Sequence, residues 1–346
     1  ATVDGERVVQ ANLVTVSSTG NKIPMPYLAA SWDISGGPAE SQGAMVDDAT
    51  ASPARMSVGP GNVGLLMTLR GRVTAVVQAS PTAVSYGDYF YVDDAYDATG
   101  IKDGSGHSGV RCRPCVGTTE APVMPQVGDL VEVTGAAGVN QVNGVNARYL
   151  WTAHVAPAAT DGFTVEVSEG WNLLSLPAAP VDADPLALFA GYDIDGNLYS
   201  WTASTGSLVQ MDLMAPEDFG PITATRGYWL KAGFDGTISY SGYADTGPSL
   251  DWWLPVHSGR NLIGMPATQP TTWADWMVLS GTATVPVTGA AQLSWLDSIG
   301  YRWSGPEQSF IDFGVPGDSP SSLTLRPASG HVITAHRKLG LATPPT

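Results

Sequence analysis

One stretch of this chain returns about ninety residues later, and a fold that hosts it has to accommodate two copies of the same unit. Gly170-Trp171-Asn172-Leu173-Leu174-Ser175-Leu176-Pro177 recurs as Gly259-Arg260-Asn261-Leu262-Ile263-Gly264-Met265-Pro266. Ser200-Trp201-Thr202-Ala203-Ser204-Thr205-Gly206 pairs with Ser294-Trp295-Leu296-Asp297-Ser298-Ile299-Gly300, and Phe219-Gly220 follows Trp201 by the 18 residues that separate Phe313-Gly314 from Trp295. Gly227-Tyr228-Trp229-Leu230-Lys231-Ala232 matches Gly330-His331-Val332-Ile333-Thr334-Ala335. Four matches in the same order, two of them with identical spacing, mark a duplicated unit. The copies are expected at 159–258 and 259–346, meeting near Ser258.

Runs of β-branched and aromatic residues, bounded by Gly, Pro, Asn and Asp, recur about every ten residues along the whole chain, and helical periodicity is scarce. With 40 Gly and 26 Pro, 43% hydrophobic and 14% charged residues, the sequence predicts an all-β, multidomain protein. Residues 1–60 form a polar segment whose clearest strand is Val8 to Val16, with Val8, Val9, Ala11, Leu13, Val14 and Val16 carrying the pattern. Residues 61–158 hold a denser set: Leu65 to Val77 with a bend at Gly71, Tyr89 to Val92, Val110 to Cys112, Leu130 to Gly135 and a strand around Tyr149. Five such strands make a small barrel.

Val63-Gly64-Leu65-Leu66, Gly71-Arg72-Val73-Thr74, Tyr91-Val92-Asp93-Asp94, Asp103-Gly104-Ser105-Gly106 and Gly128-Asp129-Leu130-Val131-Glu132-Val133-Thr134-Gly135 together resemble the OB-fold domains of exported bacterial proteins. The Gly-Trp-Asn-Leu-Leu-Ser-Leu-Pro element resembles the small β-domains near the C-termini of bacterial surface proteins, a likeness that implies no catalytic role. OB folds elsewhere grip single strands through aromatic residues and a basic groove. The acidic loop here departs from that.

Sixteen basic against 32 acidic residues leave a net charge of −16, a field that disfavours nucleic acid and anionic membranes. No apolar run is long enough to span a bilayer, so membrane insertion is not expected. The start at Ala1-Thr2-Val3-Asp4 reads as what remains after signal-peptide cleavage, which places the protein outside the cell or on its surface.

The chemistry-bearing residues form no active site. Cys112 and Cys115, two residues apart, suit a local disulfide in an exported protein, with free thiols or redox chemistry as the alternatives. Gly106-His107-Ser108-Gly109-Val110 begins like a serine elbow but has Val where the strained turn needs Gly. His107, His154, His257, His331 and His336 offer no pair on one strand face. The many carboxylates include no pair that resembles a glycosidase cleft. Asp93, Asp94, Asp97 and Asp103 crowd one Gly-rich loop and fit a structural calcium ion, as does the shorter Asp193-Ile194-Asp195-Gly196-Asn197. Both sets are also ordinary hairpin residues. No other cofactor is expected.

Of the 11 Trp, Trp171, Trp201, Trp229 and Trp295 fall inside repeat strands and read as core. Trp252, Trp253, Trp273 and Trp276 fall in connections, where they either pack between the repeats or stand exposed, available to a partner subunit or a glycan. The expected function is therefore non-catalytic: a self-assembling subunit of a surface filament, tubule or layer, its partners copies of itself. Val8 to Val16 would act as an assembly strand added to a neighbour's sheet edge. The alternative is a secreted carbohydrate- or ligand-binding module.

Overall fold

The computed structural model describes residues 62–78, 87–94, 105–114, 124–142, 145–203, 205–243, 251–280, 283–315 and 322–342, with short stretches before residue 62. The architecture is all-β, with three short α-helices among the described residues. The chain divides into two compact units: residues 1–93 with 101–157, and residues 94–100 with 158–346. The assembly strand Val8 to Val16 lies outside the described residues.

The first unit is a closed five-stranded barrel. Its strands are β1 (Leu66–Val77), β2 (Tyr89–Asp93), β3 (Val110–Pro114), β4 (Leu130–Val142) and β5 (Val145–Pro157). They pair in the order β1-β2-β3-β5-β4, β3 and β5 run parallel, and β4 returns to β1 to close the ring. That is the connectivity of an OB-type barrel. Twelve residues in β1 serve two neighbours, β4 along its first half and β2 along its second. The strand turns the corner at Gly71, where an added Cβ would lie 2.6 Å from the Asp93 carbonyl oxygen. Met67, Leu69, Phe90, Val110, Cys112, Val133 and Leu150 fill the interior. On β1 and β4, Arg70 meets Glu132 at 2.8 Å and the Thr68 and Thr134 hydroxyls bond at 2.7 Å.

The second unit contains two sheets of identical strand order. Its first half runs β6 (Thr160–Val167), β7 (Gly170–Leu174), α1 (Pro185–Leu188), β8 (Leu198–Thr202), β9 (Ser207–Gln210), α2 (Pro216–Phe219), β10 (Tyr228–Ala232) and β11 (Gly236–Tyr243). The second half runs β12 (Asp251–Val256), β13 (Gly259–Ile263), β14 (Met277–Ser280), β15 (Ala283–Pro286), α3 (Val287–Gln292), β16 (Ile299–Ser304), β17 (Ser309–Gly314), β18 (His331–Ala335) and β19 (Leu339–Ala342). The four-stranded sheets are β7-β10-β8-β9 and β13-β18-β16-β17. Beside them, β6 pairs with β11 and β12 with β19.

Registers fix which residues correspond. Asn172 faces Leu230 as Asn261 faces Ile333, and Ser200 faces Tyr228 as Arg302 faces His331. Trp201 therefore corresponds to Trp303, and the match to Trp295 expected from the sequence is wrong. Trp295 lies in the turn after α3, its N–H on the Ala290 carbonyl. The shared 18-residue spacing is a coincidence of loop lengths, because Phe219 belongs to a helix and Phe313 to a strand. Both rings nonetheless pack on the same corresponding position, Phe219 on Tyr228 and Phe313 on His331.

The recurring Gly-x-Asn has a local cause. Gly170 and Gly259 sit at φ of +94° and +100°, a conformation that a Cβ opposes. The buried Asn two residues on secures the turn. Asn172 Nδ2 donates to the carbonyls of Ser168 and Gly170 while its Oδ1 accepts from the Ser168 N–H. Asn261 makes the same three bonds with His257 and Gly259.

Backbone groups near these strands tie the halves together. Gly330 N donates to Leu173 O and Gly227 N to Leu262 O, while Ser175 N reaches Ala328 O and Gly264 N reaches Thr225 O. Each half thus completes the backbone pairing of the other, about a local two-fold relation. Separate folding of the halves would leave these groups unpaired.

Candidate functional site

Two surfaces of the second unit stand out, one made by side chains and one by backbone. The first arises from strand alternation. On β10, Tyr228 and Leu230 point inward, so Trp229 and Lys231 point outward. Trp171 on β7, Tyr199 on β8 and Leu208 on β9 share that outer face, and Trp303 and Phe310 of the second sheet come to meet them. These six residues line a groove of about 300 Å³.

The rings are set edge to face. Trp171 and Trp229 lie 6.1 Å apart at 88°, Trp229 and Trp303 5.3 Å at 72°, and Trp303 and Phe310 4.9 Å at 81°. Trp171 and Phe310 keep 36% and 54% of their surface exposed. Polar groups stand only at the rim. Gln210 Nε2 donates to the Tyr199 hydroxyl, Gln308 brackets the Trp171 peptide, and Lys231 Nζ sits 6.0 Å from the centre of the Trp171 ring.

The second surface is the outer edge of β6. This strand pairs with β11 over eight consecutive residues without a bulge. The Ser241 carbonyl and the Tyr243 N–H of β11 turn away from β6, toward Val181 and Ala179. Alternation then sends the peptide groups of Thr160, Gly162, Thr164 and Glu166 outward from β6. All four residues are exposed and have no strand beside them among the described residues. In the second half the corresponding pair continues from β19 through β14 to β15.

The residues expected to meet a partner are elsewhere. Trp252, Trp273 and Trp276 are buried, at 5%, 0% and 0% exposure, and the Trp253 side chain is outside the described residues. Trp273 and Trp276 fill the interior of the second half, Trp273 edge-on to Phe313. The Trp171, Trp201 and Trp229 expected in the core lie instead on the outer sheet face, each only partly buried. The sequence carried the signal, since Lys231 two positions after Trp229 marks that face as the wet one.

Cys112, buried inside the barrel, has no disulfide partner among the described residues, and burial pushes its titration upward. Cys115, the other half of the expected disulfide, lies outside the described residues. So do Asp97 and Asp103 of the calcium loop. Asp93, at 2% exposure, accepts a 3.3 Å bond from the Ser31 hydroxyl. In the shorter cluster, Asp193 accepts from Asn197 and Asp195 from the Leu213 N–H, so these carboxylates brace the turn before β8. Among the described residues no three His, Cys, Asp or Glu are placed to hold a metal ion. No described helix is long and apolar enough to cross a membrane. His107 lies against Tyr91, and the Ser108 carbonyl accepts from Thr74 in the turn that resembled a serine elbow. His336 makes an exposed pair with Asp297.

No family model matches the chain, and neither does any curated protein or solved structure.

Proposed function

We propose that this protein is a non-catalytic extracellular subunit that assembles with copies of itself into a surface filament, tubule or layer, and that its halves arose by duplication. The carrying observation is the open edge of β6. Sheet edges template the addition of another strand, and proteins that stay single blunt them with proline, bulges, charged side chains or cover. The β6 edge has neither proline nor bulge, and its charges are the two carboxylates of Asp161 and Glu166. A strand donated by one copy to the β6 edge of the next makes a head-to-tail contact, and repetition of that contact yields an open polymer. The alternation in Val8 to Val16 supports that segment as the donor.

Thr164→Pro tests the reading. It removes an outward N–H that β11 does not use, so the pair within the chain is retained while the edge is blocked. Light scattering and negative-stain microscopy of the full chain should show ordered polymers that are lost in Thr164→Pro and on removal of residues 1–20, with the near-ultraviolet circular dichroism of Thr164→Pro unchanged. A wild-type chain that remains monomeric at every concentration, or polymers unaffected by Thr164→Pro, would overturn it.

A further inference from the structure

We propose that the aromatic groove between the two four-stranded sheets is a binding site for a neutral glycan. The two-fold relation supplies an internal control for what the fold itself requires. At the corresponding place in the second half, Trp171 is replaced by Arg260 and Trp229 by Val332, within the same strand order and register. The scaffold closes without those indoles. They occur on one side only, and although the rings pack edge to face, Trp171 remains 36% exposed, an apolar exposure the scaffold does not require.

Size and charge select the occupant. Six side chains around about 300 Å³ match the small end of ligand pockets and fall well short of the roughly 20–30 residues a side that a stable protein contact uses. The lining is carbon throughout, so a ligand must bring a flat apolar face and carry its polar groups at the periphery. A pyranose does both, laying its C–H face on an indole and turning its hydroxyls out to the rim, where Lys231 stands and where the Tyr199 hydroxyl and the Gln210 amide are bonded to each other and to the Gly196 carbonyl. An anionic ligand opposes the net charge of −16. A cationic one meets Lys231, already placed over Trp171. A neutral sugar meets neither obstacle.

The test is titration of the full chain with cellohexaose, xylohexaose, mannohexaose and chitohexaose, followed by tryptophan fluorescence and calorimetry. Thr164→Pro serves as a second background, so that sugar binding is read independently of assembly. At least one sugar should shift the emission saturably, and Trp171→Ala should weaken binding by about tenfold or more with an unchanged melting temperature. Should Trp171→Ala fail to fold, Phe310→Ala carries the test, because Phe310 is more than half exposed. Polymer formation should be unaffected in whichever variant folds. The absence of saturable binding by all four sugars, or binding that survives both substitutions, would overturn the proposal. So would loss of polymers in Trp171→Ala or Phe310→Ala, which would make the groove a contact between copies.

Discussion

The indole Nε1 of Trp303 donates to the carbonyl of Trp171 at 2.7 Å, and by the two-fold relation Trp201 donates to the carbonyl of Arg260 at 2.7 Å. Each half of the second unit therefore holds the first residue after the turn glycine of the other. Trp201→Phe and Trp303→Phe, which keep a ring and lose the donor, should each cost about 1 kcal/mol. The two losses should add, because the bonds share no group. Guanidinium unfolding of Thr164→Pro carrying these changes would measure it. Because the halves complete each other's backbone pairing, the second unit should lose structure in one transition. Separate transitions for the two halves would contradict the interlocked arrangement.

The Asn of each Gly-x-Asn turn is the next point of equal load. Asn172→Ala and Asn261→Ala each remove three hydrogen bonds at a buried site and leave the Ser168 or His257 N–H without its acceptor. A loss of about 2–3 kcal/mol is expected for each, with similar values in the two halves. Asp is no substitute, since it cannot donate to the two carbonyls. Unequal losses from the two alanine variants, beyond about 1 kcal/mol, would show that the turns are not equivalent.

These two relations also show how far the sequence could be read. Strand-rich composition and alternation were enough for the all-β class and the barrel strands, because strand period and turn residues are local properties. The repeat was visible at Gly170 and Gly259, where the turn demands Gly and Asn. Spacing alone misplaces the match at Trp295, because the loops between strands differ in length and only cross-strand register identifies Trp303. The aromatic groove was hidden for another reason. Its lining comes from both halves, and large rings in strands read as core unless a charged residue such as Lys231 is followed along the same face. Trp273 and Trp276 reversed that error, since a connecting segment folded inward to fill the second half.

Close backbone approach at the junction makes one glycine far less replaceable than others. A Cβ on Gly264 would lie 2.1 Å from the Ala224 carbonyl oxygen and 2.8 Å from that of Arg226. Gly191, at φ of +96°, has open space around its Cα. Gly191→Ala should cost about 1 kcal/mol, the penalty of a left-handed conformation. Gly264→Ala must displace backbone across the junction and should cost about 3 kcal/mol or more. Equal thermal shifts for the two variants would show that the junction yields to the added methyl.

His331 sets a pH dependence that its counterpart Tyr228 cannot. Tyr228 accepts through its hydroxyl from the N–H of Thr223, five residues earlier, and His331 accepts through Nε2 from the N–H of Arg326, also five residues earlier. An imidazole in that role has to be neutral. Burial, with Arg302 nearby, lowers its pKa from 6.5 to about 3. The unfolded chain then binds the proton more tightly than the folded one. The contribution of neutral His331 is fully present above about pH 6.5 and is lost as pH falls toward 3, by a few kcal/mol at the acid end. Urea unfolding at several values between pH 7 and pH 4 should show that decline in the parent chain and a shallower one in His331→Tyr, whose hydroxyl does not titrate in this range. Parallel declines in the two proteins would assign the acid sensitivity to other groups and leave His331 as packing alone.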